Sequence, residues 1–182
     1  MTLAHNASGY INEQISDMLR KTEEKDVAKA VDMITSAKKI FVYGVGRSGL
    51  VARAFAMRLV QLGLDVFFIG ETITPIVEGG DMVLIVSNTG ATMSAIQTAN
   101  IARRVGATVM TITGNTTSKL AHASNVVICI PDQRNQQSAK FAPLGTLFED
   151  ATLVFLDGVV AMVMEKLGES EATMRGRHGI MV

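Results

Sequence analysis

The chain is short of cysteine, of net charge and of long apolar runs, and each shortage removes a class of function. Cys129 is the one cysteine among 182 residues, so no intramolecular disulfide framework exists. It sits in the apolar run NVVICIP, residues 125–131, and reads as a buried small hydrophobe rather than a nucleophile. Lys and Arg number 17 and Asp and Glu number 17, for a formal net charge of zero. With no long basic run either, neither nucleic acid nor a membrane surface is expected as the main partner. His5, His122 and His178 are scattered and form no metal-ligand spacing, so no metal is expected. No apolar stretch approaches the ~20 residues of a membrane helix. The longest, ATLVFLDGVVAMVM, carries Asp157. The first residues, MTLAHNASGYINEQ, lack an apolar secretory segment. These absences predict a soluble cytoplasmic protein.

What is present is strongly patterned. Residues 10–37 carry apolar positions at helical spacing, with Ile11, Ile15, Met18 and Leu19 before the polar break RKTEEKD and Val27, Ala30, Val31 and Ile34 after it. From residue 38 the pattern changes. Short apolar runs (KIFVYG, DVFFIG, DMVLIVS, ATVMTITG, NVVICIP) read as five strands. Helical segments lie between them: SGLVARAFAMRLVQLG closes on Gly63 and ATMSAIQTANIARRVG on Gly106. A long final helix runs from Pro143, in its first turn, to Gly168. Strands apolar throughout and alternating with helices predict a parallel sheet covered on both faces. The expected fold is α/β, a three-layer α/β/α sandwich with a five-stranded parallel, flavodoxin-like sheet. The expected organisation is one domain over 1–182, with N-terminal helices at 8–37, an α/β core at 38–168 and a tail at 169–182. That tail, ESEATMRGRHGIMV, is either a frayed terminus or an arm that packs on a neighbour. Apolar residues make up 48% of the chain and charged ones only 19%. Such a chain is expected to bury part of its surface against copies of itself.

Two loops carry the candidate chemistry, because ligands of such sheets bind beyond the carboxyl ends of the strands. The first is GVGRSG, residues 44–49. It offers backbone N–H groups around Gly46, a hydroxyl at Ser48 and a permanent charge at Arg47. The second is SNTGAT: Ser87, Asn88, Thr89, Gly90, Ala91 and Thr92. Many neutral donors at two helix starts suit one phosphomonoester. Each loop alone has a plainer reading: the glycines permit tight packing, and Ser or Thr before a helix is an ordinary N-cap. Their equivalent places in one sheet favour binding. The G-x-G-x-x-G spacing also invites a dinucleotide, with Glu71 after the second strand as a ribose ligand. Against it stand the five-strand count, the lack of room for a substrate domain, and the hydroxyl-rich second loop.

GVGRSGLVARAFAMRLVQLG, SNTGAT, PLGTLFEDA and the terminal MRGRH together resemble the sugar isomerase (SIS) domain and, more narrowly, the 6-phospho-3-hexuloisomerases. The resemblance runs over nearly the whole chain. It implies interconversion of 3-hexulose 6-phosphate and fructose 6-phosphate without metal or organic cofactor. It also implies a role in formaldehyde fixation or pentose phosphate supply, and tetramers with active sites between subunits. The chain departs from the family's usual patterns in two places. Asn88, Thr89 and Ala91 replace Gly, Ser and Glu of the second loop, and Gly179, Ile180, Met181 and Val182 follow Arg177-His178. Other members of the wider family act on arabinose 5-phosphate or heptose 7-phosphate, or sense sugar phosphates without turnover. The short chain and the absence of a dense basic surface on its N-terminal helices disfavour these alternatives.

Moving a carbonyl between C2 and C3 through a cis-enediol needs a base for a carbon-bound proton. Glu149, in TLFEDA with Leu147 and Phe148 beside it, is the candidate, in a setting expected to be apolar. Spacing alone favours a surface glutamate at a helix N-terminus; the resemblance turns the reading to the base. His178 is the candidate for proton transfer between the oxygens, reaching the site from a neighbouring subunit if the site is shared. Arg47 has two candidate roles, holding the phosphate and polarising the carbonyl, of which the phosphate is favoured. Asp150 follows Glu149 and points about 100° away around a helix, so the two are not expected to act together.

Overall fold

A computed structural model describes residues 2–131 and 134–179. Two helices, α1 (Leu3–Leu19) and α2 (Glu24–Ser36), precede the sheet. There follow β1 (Ile40–Gly44), α3 (Gly46–Gln61), β2 (Val66–Phe68), β3 (Met82–Val86), α4 (Met93–Arg104), β4 (Thr108–Thr113) and α5 (Lys119–His122). The chain continues through β5 (Val126–Cys129), α6 (Gln136–Phe141), α7 (Thr146–Leu167) and α8 (Glu171–Gly176). The five strands form one parallel sheet in the order β2-β1-β3-β4-β5. This is the expected three-layer α/β arrangement.

Although the strands are apolar on both sides, alternate residues still serve different cores. Ile40 and Val42 of β1 and Met82, Leu84 and Val86 of β3 point into the larger core, under α1, α2, α3 and α7. Phe41, Val83 and Ile85 point the other way, onto the Ala95, Ile96, Ala99 and Ala102 face of α4. The small alanines let α4 lie close to the sheet. α7 is the centre of the larger layer and buries Phe148, Ala151, Phe155, Leu156, Val159 and Val163. It is apolar around most of its circumference, and Leu153, Val154 and Met162 remain exposed on its outer side.

Several boundaries differ from the sequence expectation. The first helix starts at Leu3, five residues before the expected start, capped by the Thr2 hydroxyl. Three helices of four to six residues (α5, α6 and α8) were not expected. Pro143 does not stand in the first turn of α7. It precedes a turn in which the Thr146 amide and hydroxyl both donate to the Pro143 carbonyl, and the helix begins at Thr146. The tail is neither frayed nor free over its described length. α8 opens with a Ser170–Thr173 capping box, and the apolar end of the tail, residues 180–182, lies outside the described residues.

The turn from β1 into α3 depends on absent side chains. A Cβ on Gly49 would lie 2.5 Å from the Gly44 carbonyl oxygen, and one on Gly44 would lie 2.8 Å from the Gly49 amide nitrogen. Gly49→Ala is therefore expected to lower stability by about 1–3 kcal/mol through overpacking that only backbone movement can relieve. Urea unfolding checks this; a midpoint matching the unsubstituted protein would show that the turn has slack.

Candidate functional site

The strand order places a topological switch point between β1 and β3. From these adjacent strands α3 leaves toward the larger core and α4 toward the smaller one. The crevice between their first turns is a cavity of about 150 Å³ lined by Val45, Ser48, Val86, Ser87, Asn88, Thr89, Thr92 and Ala95. Five of the nine expected binding residues thus face one space: Ser48 from the first loop, and Ser87, Asn88, Thr89 and Thr92 from the second. Gly46 sits at φ 60° with open space on its Cβ side, leaving the turn's backbone accessible.

The second loop is braced from beneath. The Asn88 carbonyl accepts from the Gly114 amide at 2.9 Å and from the Thr113 hydroxyl at 3.0 Å. Gly90, at φ 59°, packs so tightly that a Cβ would fall 2.1 Å from the Ser118 hydroxyl. A Cβ on Gly114 would fall 2.5 Å from Asn88 Oδ1. Thr113, Gly114 and Ser118 therefore shape the cavity without lining it. Sequence reading missed them because nothing local links residues 113–118 to residues 87–92. Thr92 is the N-cap residue of α4, yet its hydroxyl makes no capping bond. The Thr89 hydroxyl accepts from the Ala91 amide at 3.3 Å, so Ala91 contributes through its backbone.

Glu149 joins this cavity through Ser48. The Ser48 hydroxyl donates to Glu149 Oε1 at 3.4 Å, and Arg47 Nη1 donates to Glu149 Oε2 at 3.2 Å. Its setting is not the apolar one expected. Leu147 and Phe148 are buried beneath α7, while the carboxylate turns outward onto Arg47 and Ser48. Two further expectations change. Asp150 is not separate from Glu149, because Arg47 Nη2 donates to Asp150 Oδ1, so one guanidinium bridges both carboxylates. Arg47 accordingly stands on these acids and outside the cavity lining. Glu71 pairs with Arg53 of α3, not with the first loop.

His178 lies elsewhere. Arg177 donates to both Glu169 oxygens, at 2.9 and 3.0 Å, and to the Gln61 carbonyl at 3.2 Å. The Arg177 hydrogen bond holds the Glu169 carboxyl below its ordinary value, with the Thr173 hydroxyl adding to the effect. This clamp sets exposed His178 at the C-terminal end of α3, beside Arg58, Gln61 and Met174. Ser48 and Arg47 are at the other end of that 16-residue helix, about 20 Å from Gln61 along its axis. Within one chain, His178 and Glu149 do not meet.

The family model for the SIS domain matches residues 33–155. The chain belongs to the SIS-domain family. Among its relatives is a Bacillus subtilis protein named 3-hexulose-6-phosphate isomerase, 36% identical over 178 residues, covering 96% of this chain and 90% of that one. A protein of the same name from Methanocaldococcus jannaschii is 38% identical over 152 residues, covering 81% and 79%. A crystal structure of a Methanococcus jannaschii protein, for which a 3-hexulose-6-phosphate isomerase function is inferred, is similar with a TM-score of 0.85 at 31% identity. That match covers 94% of this chain and 97% of that one. The candidate site of this SIS-domain chain is the crevice at the β1/β3 switch point, the position at which open α/β sheets bind ligands.

Among the described residues, no three His, Cys, Asp or Glu side chains gather to hold a metal ion, and no helix is long and apolar enough to cross a membrane. Cys129, at the end of β5, is partly buried, and this burial pushes its thiol above the ordinary value. Since the thiolate is the reacting form, alkylation at neutral pH should be slower than for a free cysteine, with the rate rising at higher pH. Iodoacetamide kinetics across pH test this; a fast reaction at pH 7 would contradict the burial argument.

Proposed function

We propose that this protein is an isomerase interconverting 3-hexulose 6-phosphate and fructose 6-phosphate. The observation that carries the reading is the hydroxyl-lined crevice at the β1/β3 switch point, joined to Glu149 through Ser48. The hydroxyls and backbone amides hold the phosphate. Glu149 removes the C3 proton of fructose 6-phosphate, a cis-enediol forms across C2 and C3, and Glu149 returns a proton, exchangeable with solvent while the enediol lasts, to C2, while an oxygen-bound proton moves from O3 to O2. Net charge and atoms are unchanged, so no external oxidant or reductant is consumed.

The oxygen-side proton transfer falls to His178 of a neighbouring subunit, because its own chain holds it at the wrong end of α3. The assembly we propose is a homotetramer with shared sites. The exposed apolar residues Leu50, Met57 and Val60 of α3 and Leu153, Val154 and Met162 of α7 support self-association. The remaining parts of the reading are one SIS domain spanning the chain and a cytoplasmic location, where a lone thiol stays reduced.

Proton NMR of fructose 6-phosphate in D₂O with the protein alone tests the reaction. The C3 proton signal should disappear as a new ketose phosphate grows in. Exchange at C1 with an aldose phosphate product would overturn the substrate assignment. Glu149→Gln should lower kcat by about 10²–10⁴-fold with little change in affinity for the sugar phosphate. A variant that turns over normally would remove the base assignment.

Sharing of sites has its own test. Glu149→Gln and His178→Ala should each be inactive alone. Mixed after mild dissociation and reassembly, they should regain activity, because some interfaces then combine intact copies of both residues. No recovery from reassembled oligomers would refute a site built from two chains.

A further inference from the structure

Gly145 is the N-cap residue of α7 and has φ −90° and ψ 11°, a backbone conformation with negative φ that residues with side chains also adopt. The backbone therefore does not require glycine at this position. Space does. A Cβ on Gly145 would lie 3.1 Å from Glu149 Cδ, 3.1 Å from Oε1 and 3.4 Å from Oε2, and these are its three nearest neighbours. The missing side chain is replaced by one functional group, the Glu149 carboxylate.

That carboxylate is not free to retreat without cost. Arg47 holds Oε2 at 3.2 Å, and the Ser48 hydroxyl reaches Oε1 at 3.4 Å, near the outer limit of a hydrogen bond. Carbon contacts relax at roughly 3.5–4.0 Å, so an added methyl group would displace the carboxylate by a few tenths of an ångström. The Ser48 bond has the least slack to absorb this. We propose that Gly145 is a positioning residue for Glu149: by lacking a side chain, it seats the carboxylate against Ser48 at the edge of the cavity. The proposal rests on the reading of Glu149 as the base.

A second role for Gly145, capping α7, is separable. Serine is a better N-cap than glycine and alanine a worse one, but both add the same Cβ. Steady-state kinetics on Gly145→Ala and Gly145→Ser, with thermal unfolding and circular dichroism, therefore distinguish the roles. Since an error of 1 Å in placement costs on the order of 10²-fold, a shift of a few tenths should lower kcat by about tenfold in both variants, with KM nearly unchanged.

The decisive measurement is a cycle with Glu149→Asp, whose shorter side chain withdraws the carboxylate from residue 145. Adding Gly145→Ala to Glu149→Asp should cost no more than about twofold, where the same change costs tenfold in the parent. An equal loss in both backgrounds would overturn the proposal, as would unchanged kcat in both Gly145 variants. Loss in the alanine variant alone would assign the residue to capping, and unfolding of both variants would make it a structural glycine. Glu149→Gln run alongside separates the two levels. If it stays active, the base reading falls and the proposal falls with it; if it is inactive while both Gly145 variants are normal, only the proposal falls.

Discussion

The approach of two bare α-carbons, Gly44 at the end of β1 and Gly49 in the first turn of α3, governs this site. The Gly44 carbonyl oxygen stands 2.5 Å from where a Gly49 side chain would begin, so the helix starts directly against the strand. That closeness places Ser48 at the crevice and Arg47 just outside it. Because β1 and β3 are neighbours and send their helices to opposite faces, the second loop meets the first across a gap of phosphate size. The first and third glycines of the G-x-G-x-x-G run thus serve packing, and Gly46 alone serves exposure of the backbone.

The electrostatics divide the labour. The cavity is lined by hydroxyls, an amide and apolar atoms, and the nearby guanidinium is held outside it by two carboxylates. A phosphate placed in this crevice would meet neutral donors and helix-start amides, with dipoles in place of a full counter-charge. Arg47 itself is about half exposed. The carboxylates it bridges are more sheltered, Glu149 at 13% and Asp150 at 29% exposed, so taking Arg47 away would leave largely buried acids without their partner.

The sequence carries the sheet legibly. Five apolar runs, several closed by glycine, become the five strands: β1 and β3 are almost wholly buried, and the edge strand β2, three half-buried residues long, is legible from its unbroken VFF run. The places of the two candidate loops are equally legible, since they follow from strand and helix alternation. The short helices are not. Four to six residues carry too little periodicity to separate a helix from a turn. Asp150 escaped for a different reason. Its angle around the helix is a statement about α7 alone, while the long, forked Arg47 side chain reaches across from α3 and spans both acids. Glu149 was legible as a residue of interest but not in its surroundings, because its neighbours come from residues about 100 positions earlier.

The tail is where local sequence and global placement separate most. Arg177-His178 reads as a pair, yet the structure uses the two residues oppositely. Arg177 grips Glu169 and the Gln61 carbonyl, and its guanidinium covers Gly63 so closely that a Cβ there would meet it at 3.2 Å. His178 is carried next to that grip and exposed. To reach Glu149 in its own chain, it would have to cross the length of α3, which would require releasing the clamp and unwinding α8. The docked tail holds the imidazole outward on the surface instead. A site that uses both Glu149 and His178 must therefore take them from two chains, and Arg177, by fixing the tail to its own α3, is what commits His178 to that outward position.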